Sequence, residues 1–314
     1  MSEVEKVPSL RKYNASSRRL FRFIDKADKN WSAFNPSIAK NPNGEIVMAV
    51  RSSNYLLGPI QKYSTLTTGV DIMNRVYWAE LDDELQVLNM YELDVVGELS
   101  FIRGVEDFRV FWRDDAWYMT GIILEKEHTK FARVGLFKVD LDKKQAVFIE
   151  KYDSEEFGKK PEKNWGMVAN EAVKEFDFIY GPNVIYKDGK TKKLPKSKSY
   201  PKLRGNTQLI PWEDGYLAVN HYMRMQTNKK MYFNPVTFAT EWMDFRHYYH
   251  LFVKYDKAGR IVATSDEFVF NVTGVEFATG LIEHNGKIIV TYGHNDAEGW
   301  MATLDVDTVK EMLH

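Results

Sequence analysis

Short apolar runs broken by acidic or glycine-bearing turns recur along the whole chain. Residues 45–51 follow the turn Asn41-Pro42-Asn43-Gly44. Segments 76–81 and 87–93 flank Asp82-Asp83-Glu84, segments 108–112 and 117–124 flank Arg113-Asp114-Asp115, and 134–139 and 146–149 flank Asp142-Lys143-Lys144. The same grammar continues through 176–180 and 183–186 around Gly181-Pro182, 207–211 and 216–221 around Glu213-Asp214-Gly215, 248–255 and 260–264 around Asp256-Lys257-Ala258-Gly259, and 281–283 and 287–292 around Asn285-Gly286. Runs of this length, rich in valine, isoleucine and aromatics, predict strands, and Asx-Gly turns predict hairpins because both turn positions tolerate positive φ. The only helical pattern is 307–313, with Asp305-Val306-Asp307 read as its N-cap.

So many short strands in one chain predict an all-β protein. Strand pairs repeating every 40–70 residues suggest blades arranged radially, a five-bladed β-propeller with a central active-site cavity and a short C-terminal helix; a sandwich is the competing architecture. Residues 1–30 are polar and basic and read as an N-terminal arm ending in one strand at 20–24. Residues 31–314 read as a single domain.

The chain carries 43 Lys and Arg against 44 Asp and Glu, a net charge of −1, so no global field draws it to nucleic acid or to a membrane. It has no cysteine, which excludes disulfides, thiol nucleophiles and thiolate metal sites. The first residues lack the apolar core of a signal peptide, and no apolar run is long enough to span a bilayer, so the chain reads as cytoplasmic. The seven histidines show no metal-ligand spacing, and neither a dinucleotide fingerprint nor a P-loop is present; no cofactor or metal is expected.

One stretch concentrates charge at the start of a strand. Arg103-Gly104-Val105-Glu106-Asp107-Phe108-Arg109 places two carboxylates and two guanidiniums ahead of an aromatic run. Charges there are expected to be partly desolvated, which shifts carboxyl pKa values and strengthens their coupling to arginine; a structural ion pair is the plain alternative. A second concentration is basic: residues 187–204 hold eight basic residues against Asp188, and Arg224, Lys229 and Lys230 extend it. It reads as a solvated loop, or as a guide for a phosphorylated donor or a nucleic-acid acceptor.

The polar motifs together resemble those of the five-bladed β-propeller glycosidases and phosphorylases, in particular the inverting mannoside phosphorylase and β-1,2-mannosyltransferase group. Asn35-Pro36-Ser37-Ile38 with Arg51 resembles the first-blade pattern, and Gly104-Val105-Glu106-Asp107-Phe108-Arg109 the second-blade G-x-E-D-P-R, with Phe108 in place of proline. Lys163-Asn164-Trp165 before Tyr180 is similar to a third-blade K-N-W, although Gly166-Met167-Val168 departs from it. Arg204-Gly205-Asn206-Thr207 with His221 is similar to the fourth-blade motif. Phe277-Ala278-Thr279-Gly280-Leu281 with Tyr292-Gly293-His294-Asn295-Asp296 is similar to the fifth.

The resemblance implies sugar transfer, from a nucleotide sugar or sugar phosphate to a hydroxyl acceptor, with Asp107 as acid/base and Glu106 and Asp296 beside it. It implies Arg51, Arg103, Arg109, Lys163, Arg204 and His221 as phosphate or donor ligands, and Asn35, Asn164, Trp165, Tyr180, Asn206 and His250 as sugar ligands. Phosphorolysis or hydrolysis of mannosides, glycosylation of modified DNA through the basic 187–204 segment, and non-catalytic carbohydrate binding are the alternatives. Several candidates also have a purely structural reading. Trp165 and His250 read equally as core residues, His221 as a hydrogen-bonded interior histidine, and Asp296 as part of a turn.

Overall fold

The computed structural model describes residues 7–21, 31–57, 63–65, 71–97, 103–124, 132–152, 163–169, 176–180, 184–187, 190–195, 203–234 and 239–314, with the backbone alone at 21, 63–64, 180, 206, 226–234 and 239–244. The protein is mostly β, with one short C-terminal helix, Val306–Met312.

Among the described residues the strands form five antiparallel units, four of them four-stranded and the fourth five-stranded, beside a two-stranded pair, Tyr55–Leu57 with Tyr63–Thr65. The first runs Ser32–Lys40, Ile46–Ser53, Asn74–Leu81 and Val87–Val96, and the second Glu106–Arg113, Ala116–Ile123, Arg133–Asp140 and Gln145–Tyr152. Their outermost strands join in parallel, with Asp94 to Val96 opposite Gln145 to Val147. The third unit is Gly166–Met167, Phe178–Tyr180, Val184–Lys187 and Lys190–Lys193. In the fourth, Arg204–Asn206 and Ile210–Trp212 both pair with Gly215–Asn234, followed by Ala239–Asp256 and Ile261–Thr264. The fifth takes Glu276–His284, Lys287–His294 and Glu298–Asp305 and is completed by Ser16–Phe21 from the N-terminus.

Apolar residues collect between units rather than within them. Trp78 and Val47 meet Phe108, Trp117 and Phe137 between the first and second units. Phe111 and Leu136 meet Trp165 and Phe178 between the second and third, and Ile179 and Ile185 meet Tyr216 and Leu251 between the third and fourth. Leu217 and Phe252 meet Leu281 and Val290 between the fourth and fifth; Ile282 and Met301 meet Ile38 and Met48 between the fifth and first. Each unit thus buries both faces, which explains strands that read as continuous apolar runs instead of alternating ones. Polar cross-links tie the innermost strands. Thr279 Oγ1 donates to the Pro36 carbonyl at 2.7 Å, and Ser37 Oγ accepts from the Val110 amide at 3.1 Å. Gln208, almost wholly buried, donates its amide to the carbonyls of Ile38 and of Leu281, the latter at 2.8 Å, bridging three units.

Several sequence expectations change. The N-terminal arm is not irregular where described: Leu10–Tyr13 is a single 3₁₀ turn capped by Ser9, and the strand falls at Ser16–Phe21 rather than at 20–24. Residues 22–30 lie outside the described ones. Asp305 does stand at the helix N-cap but makes no side-chain cap; its carboxylate takes the Lys287 ammonium at 2.6 Å instead. Within the basic 187–204 segment, residues 187, 190–193 and 204 are strand, whereas 194–195 and 203 belong to no strand. Lys190–Lys193 is an outer edge strand, and lysines on an edge discourage pairing with another chain. Residues 188–189 and 196–202, and the side chains of Lys229 and Lys230, lie outside the described residues; Arg224 pairs with Glu267 at 3.0 Å. No helix among the described residues is long and apolar enough to cross a membrane.

Replacing Gln208 with alanine removes both amide donations and leaves two buried carbonyls unpaired. At about 1–3 kcal/mol for each orphaned group, the expected loss is about 2–5 kcal/mol. Urea titration should show a lower midpoint with an unchanged m-value; an unchanged midpoint would rule out a structural role for the bridge.

Candidate active site

The site begins as a backbone device. Four of the five innermost strands slip register by one residue: between Phe34 and Ser37, Glu106 and Arg109, Arg204 and Asn206, and Ala278 and Gly280. In three of these bulges the inserted stretch holds a residue at positive φ: Asn35 at 47°, Asp107 at 50° and Gly205 at 39°. In the third unit Asn164, at 64°, stands just ahead of Gly166–Met167. Bulges re-aim a side chain out of the pleat, and Asn, Asp and Gly are the residues that accept the left-handed conformation. The N-P, D-F, N-W and G-N pairs of the sequence motifs are the chemical signature of this geometry.

The re-aimed side chains meet in a cavity of about 290 Å³, lined by Asn35, Arg51, Tyr55, Leu57, Ile72, Arg103, Glu106, Asp107, Lys163, Asn164, Arg204, His221, Met223, Arg246, Tyr248, Val275, Phe277 and Asp296. Asp107 is fixed from the first unit. Its Oδ1 accepts from Asn35 Nδ2 and from Arg51 Nη1, both at 2.8 Å. Arg51 is buried; its Nε donates to Asn74 Oδ1 at 2.9 Å and its Nη2 lies 3.5 Å from Glu106 Oε1. Its guanidinium also lies 5.0 Å from the centre of the Phe34 ring. Burial works against both charges, yet each partner stabilises the other. Despite the desolvation, Arg51 and the Asn35 amide hold the Asp107 carboxyl below the usual range, while Glu106 and Asp107 hold Arg51 well above its own.

Two glycines make this clamp possible. A Cβ on Gly293 would fall 1.8 Å from Asn35 Oδ1, and one on Gly104 would fall 2.3 Å from the Asn74 carbonyl oxygen. Gly104, at φ 72°, brings the Arg103 carbonyl to the Asn74 amide and to its side-chain Nδ2, both at 2.8 Å.

Asp296 enters on the hairpin turn of the fifth unit. Asn295 and Asp296 have φ of 53° and 50°, and the Ala297 amide donates back to the His294 carbonyl at 3.1 Å, closing the turn. The Tyr55 hydroxyl donates to Asp296 Oδ2 at 3.2 Å. Burial pushes the Asp296 carboxyl up to about 6, with Asp107 and Glu106 adding to the rise and Arg51 and the Tyr55 hydroxyl opposing it. His221 is held well below the normal histidine range, by burial first and then by His250, Arg109, Lys163 and Arg204. It is a neutral imidazole, 5.0 Å centre to centre from the Phe277 ring.

Of the residues proposed from sequence, Asn35, Arg51, Arg103, Glu106, Asp107, Lys163, Asn164, Arg204, His221 and Asp296 share this cavity. Three do not reach its wall. Arg109 lies buried behind it, donating to the Asp107 carbonyl at 3.0 Å and to Asn164 Oδ1 at 3.4 Å; burial lowers its pKa to about 10, with Asp107 opposing. It supports Asp107 and Asn164 from beneath. Trp165 is core, packed with Tyr152, Phe178 and Tyr186. His250 is core as well, against Phe268 and Phe270, and burial lowers its pKa to about 3. Tyr180 and Asn206 have side chains outside the described residues. Sequence reasoning missed Asn74, Tyr55, Arg246 and Tyr248 as site residues. Nothing in the 54–74 insertion marks Tyr55 or Asn74 locally, whereas Arg246 and Tyr248 could have been found as the cross-strand partners of Met225 and Met223.

No protein-family model and no curated protein matches the sequence. Among solved structures the chain is similar to the β-1,2-mannobiose phosphorylase of Listeria innocua, with a TM-score of 0.63 at 12% identity, covering 95% of this chain and 99% of that one. A second structure, described with the statement that the GH130 family of mannoside phosphorylases contains glycoside hydrolases targeting β-1,2 mannosidic linkages in Candida mannan, gives a TM-score of 0.63 at 13% identity, covering 93% of this chain and 94% of that one. A GDP-Man-dependent mannosyltransferase from Leishmania mexicana gives 0.54 at 10% identity, covering 92% and 89%. At these identities the likeness shows a shared fold, the one on which these mannoside phosphorylase and mannosyltransferase structures are built.

Proposed function

We propose that this chain is a carbohydrate-active enzyme that moves a glycosyl group between a phosphate-bearing donor and a hydroxyl acceptor. In this reading the five units form a five-bladed β-propeller with the cavity at its centre, and residues 31–314 act as one catalytic domain completed by the N-terminal strand. The observation that carries it is that two groups of charges share the cavity: Glu106 and Asp107 act electrostatically on Asp296, and Lys163 and Arg204, the cationic pole in this reading, act on the neutral His221.

Glycosyl transfer builds positive charge at the anomeric carbon, moves one proton at the bridging oxygen and must accommodate a leaving or attacking group. Carboxylates beside the sugar suit the first two demands, and cations suit a phosphate. Five cationic side chains line the cavity (Arg51, Arg103, Lys163, Arg204, Arg246) against three carboxylates (Glu106, Asp107, Asp296), so its excess positive charge favours an anionic ligand. Asn35 and Asn164 offer amides to hydroxyls, and Tyr55, Tyr248 and Phe277 offer ring faces to a pyranoside.

Turnover of a panel of sugar 1-phosphates and nucleotide sugars with saccharide acceptors tests the reading. Asp107→Asn should lower kcat/KM on any active donor by about 10²-fold or more, the usual scale for a lost proton-transferring or charge-stabilising group. Full retained turnover in that variant would sink the assignment. Lys163→Ala and Arg204→Ala should each raise KM for the donor about tenfold or more, as charge-assisted hydrogen bonds worth about 1.5–3 kcal/mol are lost. The penalty should be absent for neutral aryl glycosides, and an unchanged KM would remove the phosphate from this pole.

A further inference from the structure

We propose that Glu276, a carboxyl wholly buried behind the cavity, is a positioning residue. By gripping the loop at 270–272 it fixes two backbone carbonyls, of Gly274 and Val275, from which Tyr248 and the Asp296 turn are hung. The proposal rests on the functional reading above only where saccharide binding is read out.

Glu276 opens the innermost strand of the fifth unit, and its neighbours on either side, Val275 and Phe277, both line the cavity. Successive side chains along a strand point to opposite faces, so Glu276 is turned away from the cavity. It is wholly buried. Its Oε2 accepts from the Phe270 amide at 2.7 Å, and its Oε1 accepts from the amides of Asn271 at 2.9 Å and Val272 at 3.2 Å. One side chain thus takes up three consecutive amides of a segment, 270–275, that belongs to no strand. Burial pushes the Glu276 carboxyl up to about 7, although the three amides oppose the rise. A buried carboxyl is a costly acceptor, which raises the question of what else the segment has to hold.

The segment carries part of the cavity wall. The Gly274 carbonyl accepts from the Tyr248 amide of the fourth unit at 2.9 Å, and the Val275 carbonyl accepts from the Asn295 amide at 2.8 Å. Tyr248 lines the cavity, and Asn295 is the first of the two positive-φ residues that present Asp296 to it. Two wall segments from different units therefore take their height from consecutive carbonyls. Those carbonyls lie inside the small ring that the bond from the Val272 amide to the Glu276 side chain closes. The loop is also tied at its start: the Phe270 ring stacks on Tyr292, 4.0 Å between centres, and Asn271 Nδ2 donates to the Tyr292 hydroxyl at 2.5 Å. Both of these contacts fall on 270 and 271, whereas the Glu276 ring encloses Gly274 and Val275.

Tyr248 and Asp296 touch the saccharide in this reading, in the ground state and in the transition state alike. Loosening their common support removes uniform binding, which raises KM and leaves kcat largely in place. The cationic pole, Lys163 and Arg204, stands on the third and fourth units and does not hang from this loop.

The decisive experiment is amide hydrogen exchange followed by NMR in the whole protein, with Glu276→Ala and Glu276→Gln compared with the parent. In Glu276→Ala, exchange at the Tyr248 and Asn295 amides should accelerate about tenfold or more, together with 270–272, while Leu251 and Val290 within the same two strands stay protected. Glutamine keeps an oxygen for Asn271 and Val272 and loses only the acceptor for Phe270, so it should give a smaller acceleration at the same amides; it serves if the alanine variant does not fold. In turnover assays Glu276→Ala should raise KM for the saccharide acceptor about tenfold or more with kcat within about twofold, Glu276→Gln should recover part of the loss, and the Kd for inorganic phosphate should not move. Fast exchange confined to 270–272, with Tyr248 and Asn295 as protected as in the parent, overturns the proposal. An unchanged KM in a variant whose two amides exchange faster overturns the link to saccharide binding. Failure of every donor to turn over defeats the functional reading alone, because the exchange measurement needs no activity.

Discussion

A guanidinium buried in a protein interior has to meet an anion, and Arg51 meets its own across the boundary between two sheet units. Much of the site's geometry follows from that one contact. To reach Asp107, Arg51 must be aimed by Asn74, and Asn74 is placed by the sharp turn at Gly104. To present its carboxylate, Asp107 must sit at a bulge with positive φ, and Asn35 must do the same on the neighbouring strand. Asn35 in turn occupies space that Gly293, from the fifth unit, leaves open. An ion pair between the first and second units thus depends on a glycine in the fifth, so the site is a property of the assembled units and of none alone.

The same pair sets the chemistry of its neighbours. Burial raises Asp296 towards neutrality, Asp107 and Glu106 add to the rise, and Arg51 and the Tyr55 hydroxyl oppose it. Arg109 lies below, buried, and its lowered pKa reflects the desolvation it bears while supporting Asp107 and Asn164. Lys163 and Arg204 are exposed and line the same cavity. Two carboxyls of one type are separated in behaviour by their surroundings, which is the arrangement that acid–base chemistry at a sugar requires.

Stability and site formation draw on the same layer. The apolar clusters between units supply the bulk of the burial, but they are non-directional. Register among the innermost strands comes instead from directional bonds: Gln208 to two carbonyls, Thr279 to Pro36, and the Val110 amide to Ser37. A buried polar group tolerates no alternative partner, so these bonds fix the relative heights of the bulged residues that line the cavity.

The sequence by itself determined the strands, the hairpin turns and the polar motif at the start of each unit, because these depend on local backbone preference and on runs of apolar residues. Asn, Asp or Gly at a bulge is legible for the same reason. It also marked ten side chains that the structure brings to one cavity. It did not separate Asn164 from Trp165, which are adjacent just ahead of the strand Gly166–Met167, or His221 from His250, which are direct cross-strand partners of which His221 lines the cavity. The N-terminal strand was placed too late and the lysine-rich edge strand was read as a loop, because an outermost strand needs only one partner and little apolar patterning. Only the tertiary structure decided the electrostatics. The proton affinities of Asp107 and Asp296 are set by Arg51, a residue distant from both in the chain, and by how little water reaches between them.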